Sequence, residues 1–531
     1  MHKILHKLKL PAILICLASA LLIHSPYLNR CGTANAQSKG LTIMDAVGST
    51  LEHSPDILVK REEIIASQGE LQQVRGQFDT TFQAGSSYQH GETPISESLD
   101  QKSNTLKNQV KAVKQLRNGV SLNSSVELSR NISEYDPGNP PDPAQNKAGV
   151  YLSVSFPLLK GRGVEATGAR EMAAELNVEI SKMQSMNTAN KAVRDTALAY
   201  WRYRAAYEIF RQYKNAEKRA EESLLITQAM IAADQAPSSI LENAKAKLLS
   251  KKTSRISAWQ SVYETKQNLG LVMGLDIDGI ESLPFPSDPL PGGFHRDAWE
   301  KMDALFRNRE AFMKKALENR QDHLMLSKYM QYRKILIKEA QNQLKPKLDL
   351  NLTAGYSGLD ESSGFGNYFS PVIKSVPGAT IGLSLDFTFP VGNNAAKGAL
   401  VQQKSILEQY RIQLQQSERT IMSAVSTRLF SLKQRLEQLK EASDSIIYYD
   451  SVVLNMEKKF KLGMATLSDL LSIKDDLDAA VSEKIGIQQQ YANDLIELRY
   501  HTAMLIRFTG EEGKIGIENI LTMPELSGEI R

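Results

Sequence analysis

Two stretches of the chain alternate apolar and small polar residues and then stop on Phe-Pro. In "VYLSVSFPLLKGRG", residues 150–163, the alternation ends at Phe156-Pro157, and in "IGLSLDFTFPVGNNAAKG", residues 381–398, at Phe389-Pro390. In the second stretch Ile381, Leu383, Leu385, Phe387 and Phe389 share one face, and Gly382, Ser384, Asp386 and Thr388 share the other. Period two predicts a strand that is apolar on one side and polar on the other. Proline lacks an amide hydrogen and has a fixed φ, so it is expected to end the pairing and open a helix. Gly161 and Gly163 in one copy and Gly392 in the other are expected to turn the backbone into that helix.

A second strand precedes each of these, and a long helical pattern follows. Strands are predicted at about 78–90, with Phe78, Phe82 and Ala84 on one face, and at about 345–356, where Leu348, Leu350 and Leu352 oppose Asp349, Asn351 and Thr353. The Phe-Pro strands fall at about 148–157 and 379–389. Long helices are predicted at about 164–232 and 393–461, with return helices at about 238–273 and 467–508. Leu400, Leu407, Leu414 and Ile421 step by seven, as do Leu432, Leu439, Ile446, Val453 and Phe460. The step of eleven between the two sets is a stutter that relaxes left-handed supercoiling. Seventy helical residues would span about 105 Å. Gly463 is expected to end one long helix and Thr466 or Ser468 to cap its return; Pro237 and Ser238 open the other return helix.

Helical entry patterns stand before each strand pair. One runs from Thr42, paired with Asp45 as a cap, to about Val74 with an early interruption at Ser54-Pro55; the other starts near Asp303. Leu51, Asp56 and Leu58 of the first recur as Leu317, Asp322 and Leu324 at a constant offset of 266. The chain therefore divides into a first repeat at 37–275, a Pro-rich linker at 276–302, a second repeat at 303–510 and a tail at 511–531. The copies are unequal. The Phe-Pro offset, Pro157 to Pro390, is 233, so the first copy holds about 33 additional residues between its strands. They contain a hairpin signal at about 105–130, with the turn at Asn118-Gly119 and alternation through Val120, Leu122, Val126 and Leu128. Either the sheet gains two strands or the hairpin stands outside it.

The N-terminus decides what kind of sheet this is. Lys3, Lys7 and Lys9, a 14-residue apolar run at 10–23 and "ANA" at 34–36 predict a secretion signal, 1–36, cleaved after Ala36. The run is short of the about 20 residues that a helical span needs. Arg30 before Cys31 argues against a lipoprotein site. Cleavage would remove both cysteines and lower Lys+Arg from 64 to 60 against 60 acids. That excludes thiol chemistry, and no charge excess suggests nucleic acid. Beyond the leader there is no run of 18 apolar residues, so an exported chain of this kind enters a membrane with strands or not at all. Alternation alone equally fits a half-buried soluble sheet. The leader, the large apolar faces and strands of about 10 residues or more favour a membrane barrel.

Candidate chemistry is sparse. "GRGVEA", 161–166, fits a dinucleotide fingerprint, but no second strand lies within the required reach. No nucleophile-base set, metal cluster or cofactor motif stands out, which argues against an enzyme.

The order helix, strand, strand, long helix, return helix, twice behind a leader, resembles the TolC-type outer-membrane efflux proteins. "TIMDAVGSTLEHSPDI", Phe-Pro-x-x-x-Gly and "FKLGMATLSDLL" carry the resemblance, which covers about residues 41–510. It implies an α+β membrane protein: a homotrimeric outer-membrane β-barrel continued by a long α-helical coiled-coil barrel. The implied function is the passive exit duct of a tripartite efflux or type I-like secretion system, in the outer membrane of a Gram-negative bacterium and extending into the periplasm. Its partners would be a periplasmic adaptor (membrane fusion protein), an inner-membrane pump and outer-membrane lipid, with no nucleic acid. Phe460 and Gly463 match the aromatic-x-x-Gly of an adaptor-docking turn, whereas the first-repeat turn has Ala233 at the glycine position and Ser239 at an acidic one. Two gate carboxylate positions fall on Asp469 and Ser472, and Asp476 lies seven residues beyond Asp469 on the same helix face. Asp469 is equally well a helix N-terminal acid favoured by the dipole. The alternative to a duct is a non-transporting, envelope-spanning scaffold or adhesin, which predicts neither barrel insertion nor an adaptor.

Overall fold

The computed structural model describes residues 40–96, 99–134, 143–234, 237–292, 296–362, 364–372, 376–509 and 514–516. The expected leader and most of the tail lie outside them. The fold is mixed and mostly helical. The chain opens with α1 (Ile43–His53) and α2 (Pro55–Arg75), followed by β1 (Thr81–Ser96), β2 (Leu99–Gln115), β3 (Ser121–Glu134) and β4 (Gln145–Pro157). Helices α3 (Val164–Thr167), α4 (Ala169–Ala232), α5 (Ser239–Val272), α6 (Ile277–Ser282), α7 (Arg296–Arg307), α8 (Arg309–Asn319) and α9 (Gln321–Gln343) come next. Strands β5 (Lys347–Glu361) and β6 (Val376–Thr388) lead to α10 (Asn394–Lys461) and α11 (Leu467–His501), and short strands β7 (Arg507–Thr509) and β8 (Lys514–Gly516) follow.

Local chemistry sets these limits. Thr42 accepts a hydrogen bond from the Asp45 amide while Asp45 accepts one from the Thr42 amide, so α1 starts in a capping box. Ser54 turns extended and Pro55 begins α2, because proline has no amide to satisfy in a first turn. Helices α4 and α10 hold 64 and 68 residues, which corresponds to about 96 and about 102 Å. The expected helix 164–232 is broken at Gly168, which isolates the short α3. Helix α11 stops at His501 instead of continuing to 508, since Ala503 adopts φ 55° and closes its end. The linker 276–302 is not wholly irregular, as it contains α6 and the start of α7.

Six strands form one antiparallel sheet in the order β1-β2-β3-β4-β5-β6. Its registers continue from strand to strand: Ala84, Val110, Val126, Val150, Tyr356 and Ala379 form one row across all six. The next row is Gln83, Lys111, Ser125, Tyr151, Gly355 and Thr380, so the first face is apolar along this row, although His90, Asn104, Asn108 and Arg130 share it further along the strands, and the other face is mainly polar. β1 begins at Thr81 and not near 78, because Phe78 sits in a 3-10 turn with its ring buried under the Arg117 guanidinium, 4.8 Å away. On the apolar face the side chains stand in the open: Ile381, Leu383, Leu385 and Phe387 are each at least 60% exposed.

The helices hold two cores instead. Tyr200, Trp201 and Tyr203 of α4 pack with Val262 and Leu269 of α5, Ile496 of α11, and Ile43 and Val47 of α1. Leu41 is bridged to the linker, donating to Phe285 O and accepting from Ser287, and Tyr200 Oη donates to Asp288 at 2.7 Å. Ile421, Val425, Leu429, Leu432, Leu436 and Leu439 of α10 form the second core with α7, α8 and α11. Val425 and Leu429 fill the eleven-residue stutter, so the buried stripe stays unbroken there.

Candidate functional site

The residues that the sequence singles out fall at two ends of the helices. At the turn end, α10 closes in a Schellman motif: Met464 N donates to Lys459 O at 2.8 Å, Gly463 N donates to Phe460 O at 3.0 Å, and Gly463 has φ 71°. Lys458, Lys459 and Lys461 place positive charge where the helix dipole is negative. Helix α11 then opens with a capping box in which Asp469 N donates to Thr466 Oγ1 at 3.2 Å and Thr466 N donates to Asp469 Oδ2 at 3.0 Å. The opposing α4–α5 turn differs. Its left-handed residue is Asp234, φ 51°, one beyond the expected Ala233, and Ser238 makes no side-chain cap bond. Ser239 is exposed.

Asp469, Ser472 and Asp476 share one exposed face of α11, as the spacing requires. Hydrogen bonds from the Thr466 hydroxyl and amide hold the Asp469 carboxyl below the usual carboxylate range. That carboxyl is therefore a capping group in this chain, whatever else it does. Half-buried Phe460 lines a cleft with Ile226, Leu467, Leu470 and Leu471.

The same cleft carries an ion-pair cluster that sequence reading did not find. Asp475 pairs with Lys251 at 2.7 Å and Lys247 at 3.1 Å, and Asp478 pairs with Arg219 and accepts from Gln212 at 2.8 Å. Burial pushes the Asp475 carboxyl up, but its hydrogen bonds to Lys251 and Lys247 outweigh this and hold it low. The i, i+4 spacing of Lys247 and Lys251 on α5 and the i, i+3 spacing of Asp475 and Asp478 on α11 are visible in the sequence. Which pair meets which depends on contacts 228 and 259 residues apart along the chain.

The other end joins sheet to helix. Pro157 does not end the pairing of β4: it lies opposite Asp349, and Leu158 N still donates to Leu348 O at 2.8 Å. The β3 side of β4 has no partner past Ser155, so the missing amide costs no ladder bond on that side. Phe156, half-buried, pairs with Leu350, and Gly161, φ 82°, donates to Asn342 Oδ1 at 2.7 Å. After Phe389 and Pro390, the expected turning glycine, Gly392, is not the left-handed residue; Asn393 is, with φ 41° and its side chain donating to Leu344 O at 3.2 Å. Buried Glu171 at the head of α4 receives Arg117 at 2.7 Å and Arg75 at 3.1 Å, and the Arg117 bond first of all holds its carboxyl low. Among the described residues no metal-holding cluster occurs, and no helix is long and apolar enough to cross a membrane.

This fold, an exposed two-faced sheet continued by paired long helices, has counterparts among known proteins. Residues 312–503 match the family model "outer membrane efflux protein". No curated protein matches by sequence. The fold is similar to that of the Campylobacter jejuni CmeC outer membrane channel, with TM-score 0.61 and 14% identity over 87% of this chain and 85% of that one. It is also similar to the Vibrio cholerae outer membrane protein VceC, with TM-score 0.60 and 14% identity over 87% and 95%. The open-state Neisseria gonorrhoeae MtrE outer membrane channel gives TM-score 0.58 and 14% identity over 87% and 88%. The chain thus carries an outer membrane efflux protein domain and has the fold of the TolC-type channels.

Proposed function

We propose that three copies of this chain form a passive exit duct, with one shared β-barrel in the outer membrane of a Gram-negative bacterium and one helical tunnel reaching into the periplasm. The single observation that carries this reading is the row of exposed apolar residues crossing six strands, backed by a polar row and bounded by β1 and β6. Each of these edge strands has one described neighbour, and a long edge left open invites pairing with another chain. Closing the sheet on itself through copies would turn the apolar rows to lipid and the polar rows to water. The outer-membrane channels of similar fold and the efflux domain support the location and the class of activity. On this reading the two halves of the chain are internal repeats, and no chemical reaction is assigned.

The turn end is where an adaptor and, through it, an inner-membrane pump would dock, using Phe460, Gly463 and the α4–α5 turn at Ala233. Three copies of Asp469 and Asp476 facing one axis would form carboxylate rings that attract cations and repel one another. The test is direct. The expressed chain should enter the outer-membrane fraction and run as a detergent-resistant trimer, and its loss should abolish export of a cargo supplied by its partners. A monomer in the soluble periplasmic fraction would contradict the duct and leave the scaffold reading.

A further inference from the structure

The two halves contribute unequally to the sheet, four strands from the first and two from the second. We propose that β2 and β3 are staves of the barrel wall, so that each copy supplies six strands and three copies close eighteen around a wide aqueous bore. This rests on the trimeric reading above.

Topology carries the inference. Among the described residues β1 pairs only with β2, and β4 pairs with β3 and β5, so there the hairpin alone links β1 to the rest of the sheet. A hairpin standing outside would leave β1 detached. The ladders through it are also continuous, from Lys102↔Glu134 to Gln115↔Ser121 on one side and from Ser121↔Ser155 to Asn131↔Gln145 on the other. A one-residue slip would flip every side chain to the wrong face, yet Val110 and Val126 remain in the apolar row and Lys111 and Ser125 in the polar one.

The turn between β2 and β3 is fastened where a wall strand must turn. Asn118 O accepts from Gly163 N at 2.9 Å, next to the point where β4 passes into helix. Arg117 reaches Glu171 through two nitrogens, at 2.7 and 2.8 Å. At the far end of the strands, the 3-10 segment Phe365–Val372 leans on the apolar side of the sheet. Tyr368 Oη donates to Leu128 O at 3.0 Å and accepts from Asn108 at 2.6 Å, while Arg130 donates to Gly364 O at 2.9 Å. Asn108, Leu128 and Arg130 belong to the face that carries Val110 and Val126. That segment therefore leaves the polar face clear.

The consequence is a matter of size. With strands about 4.8 Å apart and tilted about 40°, eighteen strands enclose about 36 Å between opposite backbones, against about 24 Å for twelve. Side chains take about 5 Å from each wall, leaving about 26 Å and about 14 Å. An α-helix with its side chains measures about 10–12 Å across. The wider bore passes a helical hairpin of polypeptide; the narrower passes one helix. The class of cargo that the exit tolerates thus extends to partly structured polypeptide.

Site-directed nitroxides in lipid vesicles test the wall position, using the full chain in a Cys16→Ser, Cys31→Ser background. Labels are placed singly at Val110→Cys, Val126→Cys, Lys111→Cys and Ser125→Cys, with Leu383→Cys and Ser384→Cys on β6 as references. Labels at 110 and 126 should match 383, with a several-fold higher ratio of oxygen to aqueous nickel-chelate collisions than at 111, 125 and 384. Water-exposed labels at 110 and 126 beside a lipid-exposed 383 would overturn the inference and leave the duct standing. A water-exposed label at 383 would bring down both.

Discussion

Helix α11 carries acids on two faces, and the two sets meet different chemistry. On the inner face, Asp475 and Asp478 are tied to Lys247, Lys251 and Arg219 from α5 and α4. On the outer face, Asp469, Asp476 and Glu483 step by seven, exposed, and none makes an ion pair within the described chain. One set fastens the helix pairs of a single copy to each other. In the other, Asp476 and Glu483 are open to water, cations or a neighbouring copy, while Asp469 also caps α11, so the charges that hold the fold and those offered for function are separable by substitution at Asp476.

Asp478→Asn should cost the most. It leaves Arg219 and Lys251 facing a neutral group in a site where the Asp478 side chain is 11% exposed, and thermal or urea melting should show a loss of about 2 kcal/mol. Thr466→Ala removes the cap of α11 and should cost about 1 kcal/mol. Gly463→Ala meets no neighbour within 4 Å but must hold φ 71°, which costs about 1 kcal/mol by the same measurement. Acid should weaken the pairing of Asp475. The Asp475 carboxyl is depressed in the folded state, so its pairing contributes above the unfolded value of about 3.9 and is lost as pH falls through the lower folded value. Asp475→Asn should therefore flatten the acid limb of a stability profile. Asp476→Asn should leave stability within about 0.5 kcal/mol and lower cation preference in bilayer recordings; an unchanged preference would refute the proposed ring.

What the sequence reveals of all this follows the range of the interaction. The capping boxes at Thr42 and Thr466 and the turn at Gly463 involve neighbours within five residues, and they can be read directly. Alternation marks both faces of the sheet for the same reason. Partnerships across α4, α5 and α11 cannot be read, because i, i+4 spacing names a helix face without naming what lies opposite. Glycine also misleads at one junction: Gly392 is the permissive residue, but the side-chain bond from Asn393 to Leu344 O places the left-handed turn one position later. Phe78 looks like a strand residue until Arg117, brought in by the additional hairpin, covers its ring.

The most direct measurement is single-particle electron microscopy of the full chain in lipid nanodiscs. The account predicts a three-fold tube with a wall of eighteen strands, six from each copy, and helices about 100 Å long beneath it. A single copy, a two-fold assembly, or a sheet whose row Ala84 to Ala379 is buried against protein instead of lipid would contradict it.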